Sequence, residues 1–111
     1  MQGRAAEAIP ILEARFLGDL ASPHSGTLGL AYALAGRRAD AERIAIIQWR
    51  PIPQAAIFTA LGDRDRAFEA LDRAIPLGAV RLGRALAAAE FAPIRGDPRV
   101  KALRKKVGLP E

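Results

Sequence analysis

The chain has one histidine and no cysteine, so the residues able to do acid–base, nucleophilic or metal chemistry are few. His24 stands beside Ser22 and Ser25. A serine nucleophile needs a base in contact with its hydroxyl and an acid orienting that base, whereas residues this close together at the start of an apolar run read as helix caps. The absence of cysteine removes disulfide frameworks, thiolate zinc sites and cysteine nucleophiles. With one histidine, a metal site would rest on carboxylates alone, and Asp63 with Asp65 is more simply first-turn charge favoured by a helix dipole. Arg95-Gly96-Asp97 spells an integrin-recognition tripeptide, but no secretion signal is read in the sequence, and Asp97 has a structural task as a cap. No catalytic, cofactor or metal set is expected, and the chain reads as a non-enzyme.

Charge is the remaining chemistry. A formal net charge of +5 and a pI near 10.7 raise nucleic acid or an acidic surface as partners. The dense cationic run is Arg99, Lys101, Arg104, Lys105 and Lys106. No aromatic platform is interleaved with it, as sequence-tolerant strand binding would want. Elsewhere arginines alternate with acids, as in Asp63, Arg64, Asp65 and Arg66, the pattern of a solvated face. Nucleic-acid binding is therefore the weakest of the functional readings. Trp49, beside Arg50 near a bend, is a hinge filler if buried and a partner contact if exposed. The longest aliphatic stretch, Ile44 to Ile47, is far short of the roughly 20 apolar residues a membrane span needs. A cytoplasmic protein without membrane partners is expected.

The elements that position these residues are helices. Three glycine-led hexamers, beginning at Gly3, Gly36 and Gly62, each open an apolar helical run, and such repetition points to stacked helical units. From Ser25 to Ala35, the apolar residues Leu28, Ala31, Tyr32 and Ala35 recur at helical spacing, with Ser22 as cap and Pro23 in the first turn. Gly36 ends this helix and a second runs from about Arg38 to Gln48, which makes a hairpin. The prolines of Arg50-Pro51-Ile52-Pro53 are expected to break the chain, with a helix following from about Gln54 to Leu61. After Gly62, a helix carries Ala67, Phe68, Leu71, Ala74 and Ile75 on one face, with Glu69 and Arg73 paired on the other. An apolar piece from Leu82 to Ala89 follows, then a last helix capped by Asp97 with a stripe of Val100, Leu103 and Val107. The first helix, Arg4 to Leu17, contains Pro10, expected to kink it. Its stripe of Ile9, Leu12 and Phe16 is a candidate self-association surface, because the helix that would precede it in a hairpin is missing.

These residues resemble the tetratricopeptide repeat family. Leu28-Gly29, Tyr32, Ala41 and Pro53 match its pattern, and the next unit keeps Phe58, Gly62, Ala67, Leu71 and Ala74. The stretch from Ala60 through Ala92-Pro93-Ile94-Arg95-Gly96-Asp97-Pro98-Arg99 to Val107-Gly108-Leu109-Pro110 is similar to the closing segment of bacterial arrays appended to signalling proteins. The resemblance implies an all-α domain of antiparallel helix hairpins stacked as a short solenoid. Its parts are a half repeat at 3–20, a repeat at 22–50, a shortened repeat at 52–78 and capping helices at 80–108. From Gly3 to Gly36 is 33 residues but from Gly36 to Gly62 only 26; the deficit falls between Ala41 and Phe58 and implies an altered stacking of the two hairpins. The inner faces carry Gly26, Leu30, Ala33 and Leu34, then Ile52, Ala56, Thr59 and Ala60, so the family's basic clamp for a C-terminal carboxylate is absent. An apolar concave strip remains, suited to a protein or peptide segment or else filled by the C-terminal helix. The expected function is a non-catalytic interaction module. A homodimer through the first helix is the alternative.

Overall fold

The computed structural model describes residues 2–19, 25–48 and 50–108; within 2–6 it describes the backbone alone. Among these the fold is all-α, with no strand. The helices are α1 (Gln2–Phe16), α2 (Gly26–Leu34), α3 (Arg38–Ile47), α4 (Pro51–Leu61), α5 (Arg64–Arg73), α6 (Ala79–Ala87) and α7 (Pro98–Lys106). Short 3-10 turns occupy Ile75–Leu77 and Ala89–Ile94. The expected cap Ser22, its neighbours Pro23 and His24, and Trp49 lie outside the described residues. Ser25 directly precedes α2, where it is buried and its Oγ accepts from Gln48 Nε2 at 3.2 Å.

Two hairpin turns are built alike. Gly36 (φ 83°) and Gly62 (φ 80°) adopt the left-handed conformation that closes a helix without a Cβ clash. In each turn the residue after the glycine reaches back five positions. Arg37 N donates to Tyr32 O at 2.8 Å, and Asp63 N donates to Phe58 O at 2.9 Å. An aromatic residue four positions before the glycine thus supplies both a core side chain and the carbonyl that ends the helix.

The prolines act differently from the sequence expectation. Pro51 and Pro53 do not precede the fourth helix but form its first turn. First-turn N–H groups have no intrahelical acceptor, so proline loses nothing there. The break falls one step earlier, where Gln48 (ψ 119°) and Arg50 (ψ 124°) are extended, Arg50 as a residue before proline must be. The crossover is therefore only residues 48–50.

Packing follows chain order. α1 lies on α2, α2 touches both α3 and α4, α4 touches α5 and the Ala89–Ile94 turn, and α5 touches α7. Close approach of α2 to α4 rests on glycine. A Cβ at Gly29 would stand 2.5 Å from Ile57 Cδ1 and 2.9 Å from Ile44 Cγ2, and one at Gly26 would stand 2.7 Å from Pro53 Cβ. α4 is buried continuously from Gln54 to Thr59 because it serves two cores. Ile57 and Phe58 join Ile9, Phe16, Leu28, Tyr32 and Ile44, while Ala55 and Ala56 join Phe68, Leu71, Leu82, Phe91 and Leu103. A helix apolar on all sides is one enclosed by neighbours.

The expected Glu69–Arg73 pair does not form. Arg73 donates instead to Gln54 Oε1, and Gln54 Nε2 donates to Ala45 O at 2.7 Å. A buried amide between two helices draws the guanidinium because its carbonyl would otherwise lack a donor. At the other end of the molecule Asp97 caps α7, accepting from Arg99 N at 2.9 Å, with Pro98 at the first helical position as expected. Gly96-Asp97 repeats Gly62-Asp63 after 34 residues, and the same interval separates Asp65 from Arg99 (2.8 Å) and Asp72 from Lys106 (3.5 Å). Two ion pairs at one interval make α5 and α7 parallel neighbours.

Candidate partner-binding trough

Between the inner helices and the C-terminal segment runs an apolar trough made of two adjoining clefts. The first, about 300 Å3, has Gly26, Thr27 and Leu30 of α2 and Ile52, Pro53 and Ala56 of α4 on one side, with Ala85, Ala88, Glu90 and Phe91 opposite. The second, about 380 Å3, is lined by Leu30, Leu34, Ala60, Ala89, Glu90 and Pro93. Leu30 and Glu90 belong to both. Clefts of this size sit at the lower end of the roughly 300–1,000 Å3 that ligand sites span and admit side chains rather than a folded domain.

Local structure sets each wall. Leu30 and Leu34 lie four apart and so share one face of α2; Leu34 is 43% exposed. The far wall depends on Arg95, whose guanidinium donates to the carbonyls of Leu86 (3.1 Å), Ala87 (2.5 Å) and Ala88 (2.6 Å). These are orphan acceptors at the end of α6, and satisfying them with one side chain turns the backbone into the Ala89–Ile94 segment. Phe91 and Ile94 of that segment are buried in the second core, which anchors the wall.

Of the residues expected to line the strip, Leu30, Leu34, Ala56 and Ala60 do so, as do Gly26 and Ile52. Ala33 and Thr59 do not. Ala33 is packed into the first core, and Thr59 is buried with its hydroxyl donating to Ala55 O at 2.8 Å. Helical phase carries both away from the trough and into the contacts between helices. The neighbouring segment that meets the strip is α6 with Ala89–Ile94; α7, the C-terminal helix expected to fill it, packs on α5. Trp49 lies outside the described residues. Ala85, Ala88, Ala89, Glu90, Phe91 and Pro93 were not reached from the sequence, although the Gly96-Asp97 repetition would have marked the preceding segment as a third inner element.

The stripe of α1 is not available for self-association as expected. Ile9 is 5% and Phe16 8% exposed within the first core, and Leu12 packs against it. The following hairpin covers it. Polar contacts fix this docking: Tyr32 Oη donates to Glu13 Oε2 at 2.6 Å, and the Arg37 guanidinium lies 4.5 Å from the Tyr32 ring centre and 3.8 Å from Glu13. Burial, then the hydrogen bond to Glu13, pushes the Tyr32 hydroxyl up to about 12.

The basic run is partly neutralised. Arg99 engages Asp97 and Asp65 and stacks 4.4 Å from the Phe68 ring centre, and Lys106 pairs with Asp72. Among the described residues, Lys101 and Lys105 are the members of the run with no partner. Asp63 caps α5 through Arg66 N at 3.2 Å. The Arg95-Gly96-Asp97 tripeptide has both charged ends engaged, Arg95 on carbonyls and Asp97 on Arg99 and Arg64. No group of three or more His, Cys, Asp or Glu residues gathers as a metal would require, and no helix is long and apolar enough to cross a membrane, both among the described residues.

Comparison of the chain with protein-family models, with curated proteins and with solved structures returns no match.

Proposed function

We propose that this chain is a non-catalytic protein–protein interaction module of tetratricopeptide type, accessory to a bacterial signalling or regulatory protein in the cytoplasm, and that its partner is a protein or peptide segment. The observation that carries the reading is the trough: two adjoining apolar clefts held between α2, α4 and the Ala89–Ile94 turn. Exposed apolar concavities on a rigid helical frame receive amphipathic or extended segments, whose side chains enter successive pockets. The two matching glycine turns, the close contact at Gly29 and the interval of 34 residues between α5 and α7 support the family assignment.

The test is selection of a displayed library of random 12-residue peptides on the immobilised chain. Enrichment is expected for the wild type and should disappear with Leu30→Glu, with helicity followed by circular dichroism to confirm that the variant is folded. A library that yields no binder would sink the proposal. Self-association is a second reading favoured by Ile11 and Ile46, each 72% exposed.

A further inference from the structure

Among the described residues the trough contains one acid, and it is unpaired. Glu90 lies where the two clefts meet, exposed, and among the described residues it has no ion-pair or hydrogen-bond partner. The chain carries 17 lysines and arginines against 12 acids, and Glu13, Asp40, Glu42, Asp63, Asp65, Asp72 and Asp97 have each found an arginine or lysine. In a molecule with surplus cations, a carboxylate left open amid alanine, leucine and proline is placed to meet a charge from outside. We infer that Glu90 selects the occupant of the trough: a segment of another protein in which one lysine or arginine stands between apolar residues.

The chemistry follows from the surroundings. Leu30, Leu34, Ala56 and Phe91 offer surface only to apolar side chains. When such a segment covers the clefts it removes water from Glu90, and a carboxylate losing water without a partner is penalised. A cation on the segment converts that penalty into a charge-assisted hydrogen bond, and an acidic residue at the same place is repelled. This polarity is opposite to a carboxylate clamp. It also disfavours the anionic backbone of nucleic acid.

The inference rests on the proposed peptide-binding role, and the experiment separates the two. Peptides selected on the wild-type chain are sequenced, synthesised with a fluorescent label and titrated by anisotropy against wild type, Glu90→Gln and Glu69→Gln. Glu69 is likewise exposed and unpaired but sits on α5 away from the trough lining, so its variant makes the same change in net charge. The expected result is a lysine or arginine at a fixed place between apolar residues, with Kd weakened about tenfold by Glu90→Gln and unchanged by Glu69→Gln. Selected peptides without a cation, or an equal response to both variants, would overturn the role of Glu90 while the trough stands as a binding site. A selection that yields nothing would overturn both.

Discussion

The Tyr32 hydroxyl is the chain's sole phenol, 1% exposed and donating to Glu13, so its titration reports on the seat of α1. Its value rises from 10.0 to about 12 in the folded chain. The folded state therefore holds the proton more tightly than the unfolded one. The stability this gives is fully present below pH 10 and is lost as pH rises through about 12. Tyrosinate absorbance is expected to appear near pH 12 in the native protein and near pH 10 in denaturant. A native midpoint at 10 would mean that the hydroxyl is neither buried nor bonded to Glu13. Gly29 gives a second prediction at this scale. Replacing it with alanine adds a methyl group where Ile57 and Ile44 already stand. Overpacking should cost about 1–3 kcal/mol, offset by the roughly 1 kcal/mol that alanine gains over glycine in a helix. Urea unfolding should show a net loss or near neutrality, while a clear gain would contradict the close contact. Leu28-Gly29 was legible in the sequence as a pattern; its cause, the approach of α2 to α4, was not, because it depends on residues almost thirty positions away.

At the scale of elements, α7 depends on its cap and its stripe more than on its charges. Donation from the Arg99 side chain and backbone N–H holds the Asp97 carboxyl down to about 2, from 3.8. A depressed value contributes stability above pH 4 that disappears as pH falls toward 2. Melting temperatures should fall over that window more steeply for the wild type than for Asp97→Asn, and equal slopes would refute the assignment. Lys106→Ala removes a solvent-exposed pair with Asp72 and should change stability by less than about 1 kcal/mol. Leu103→Ala, in the second core, should cost about 2–5 kcal/mol in urea unfolding. The hairpins, the glycine turns and the Asp97-Pro98 start were readable because each uses a residue type with one dominant backbone role. Pro51 and Pro53 were misplaced because proline is both a helix breaker and a favoured first-turn residue, and only the neighbouring packing decides between them. The wall formed by Ala85, Ala88 and Ala89 was hidden because alanine gives little hydrophobic phase.

The whole molecule measures 40 × 25 × 20 Å, an elongated body in which two cores meet at α4. Hydrogen exchange should therefore be slowest in α4, since opening it disrupts both clusters, and fastest at the outer ends of α1 and α7. Uniform protection along the chain would contradict that partition. If Ile11 or Ile46 mediates self-association, light scattering will give a mass above 11.9 kDa that falls to the monomer with Ile11→Asp or Ile46→Asp. A monomer at every concentration removes that reading. The apolar strip of the trough was legible from Leu30, Leu34, Ile52, Ala56 and Ala60, whose spacing aligns them. Glu90 was not, because a missing partner is a property of the assembled surface and of no local pattern.

The double role of α4 also orders events during synthesis. Among the described residues the first cluster draws on the chain up to Phe58, with Ala60 and Leu61 packed against it and Ala67 as a later member, so the growing chain can close most of that half soon after α4 has left the ribosome. The opposite face of α4, with Ala55 and Ala56, is then covered only in part by Phe68 and Leu71 of α5 until Leu82, Phe91 and Leu103 follow. For the time taken to make those residues, the nascent protein displays an unfinished hydrophobic surface. That interval is when a chaperone would find it.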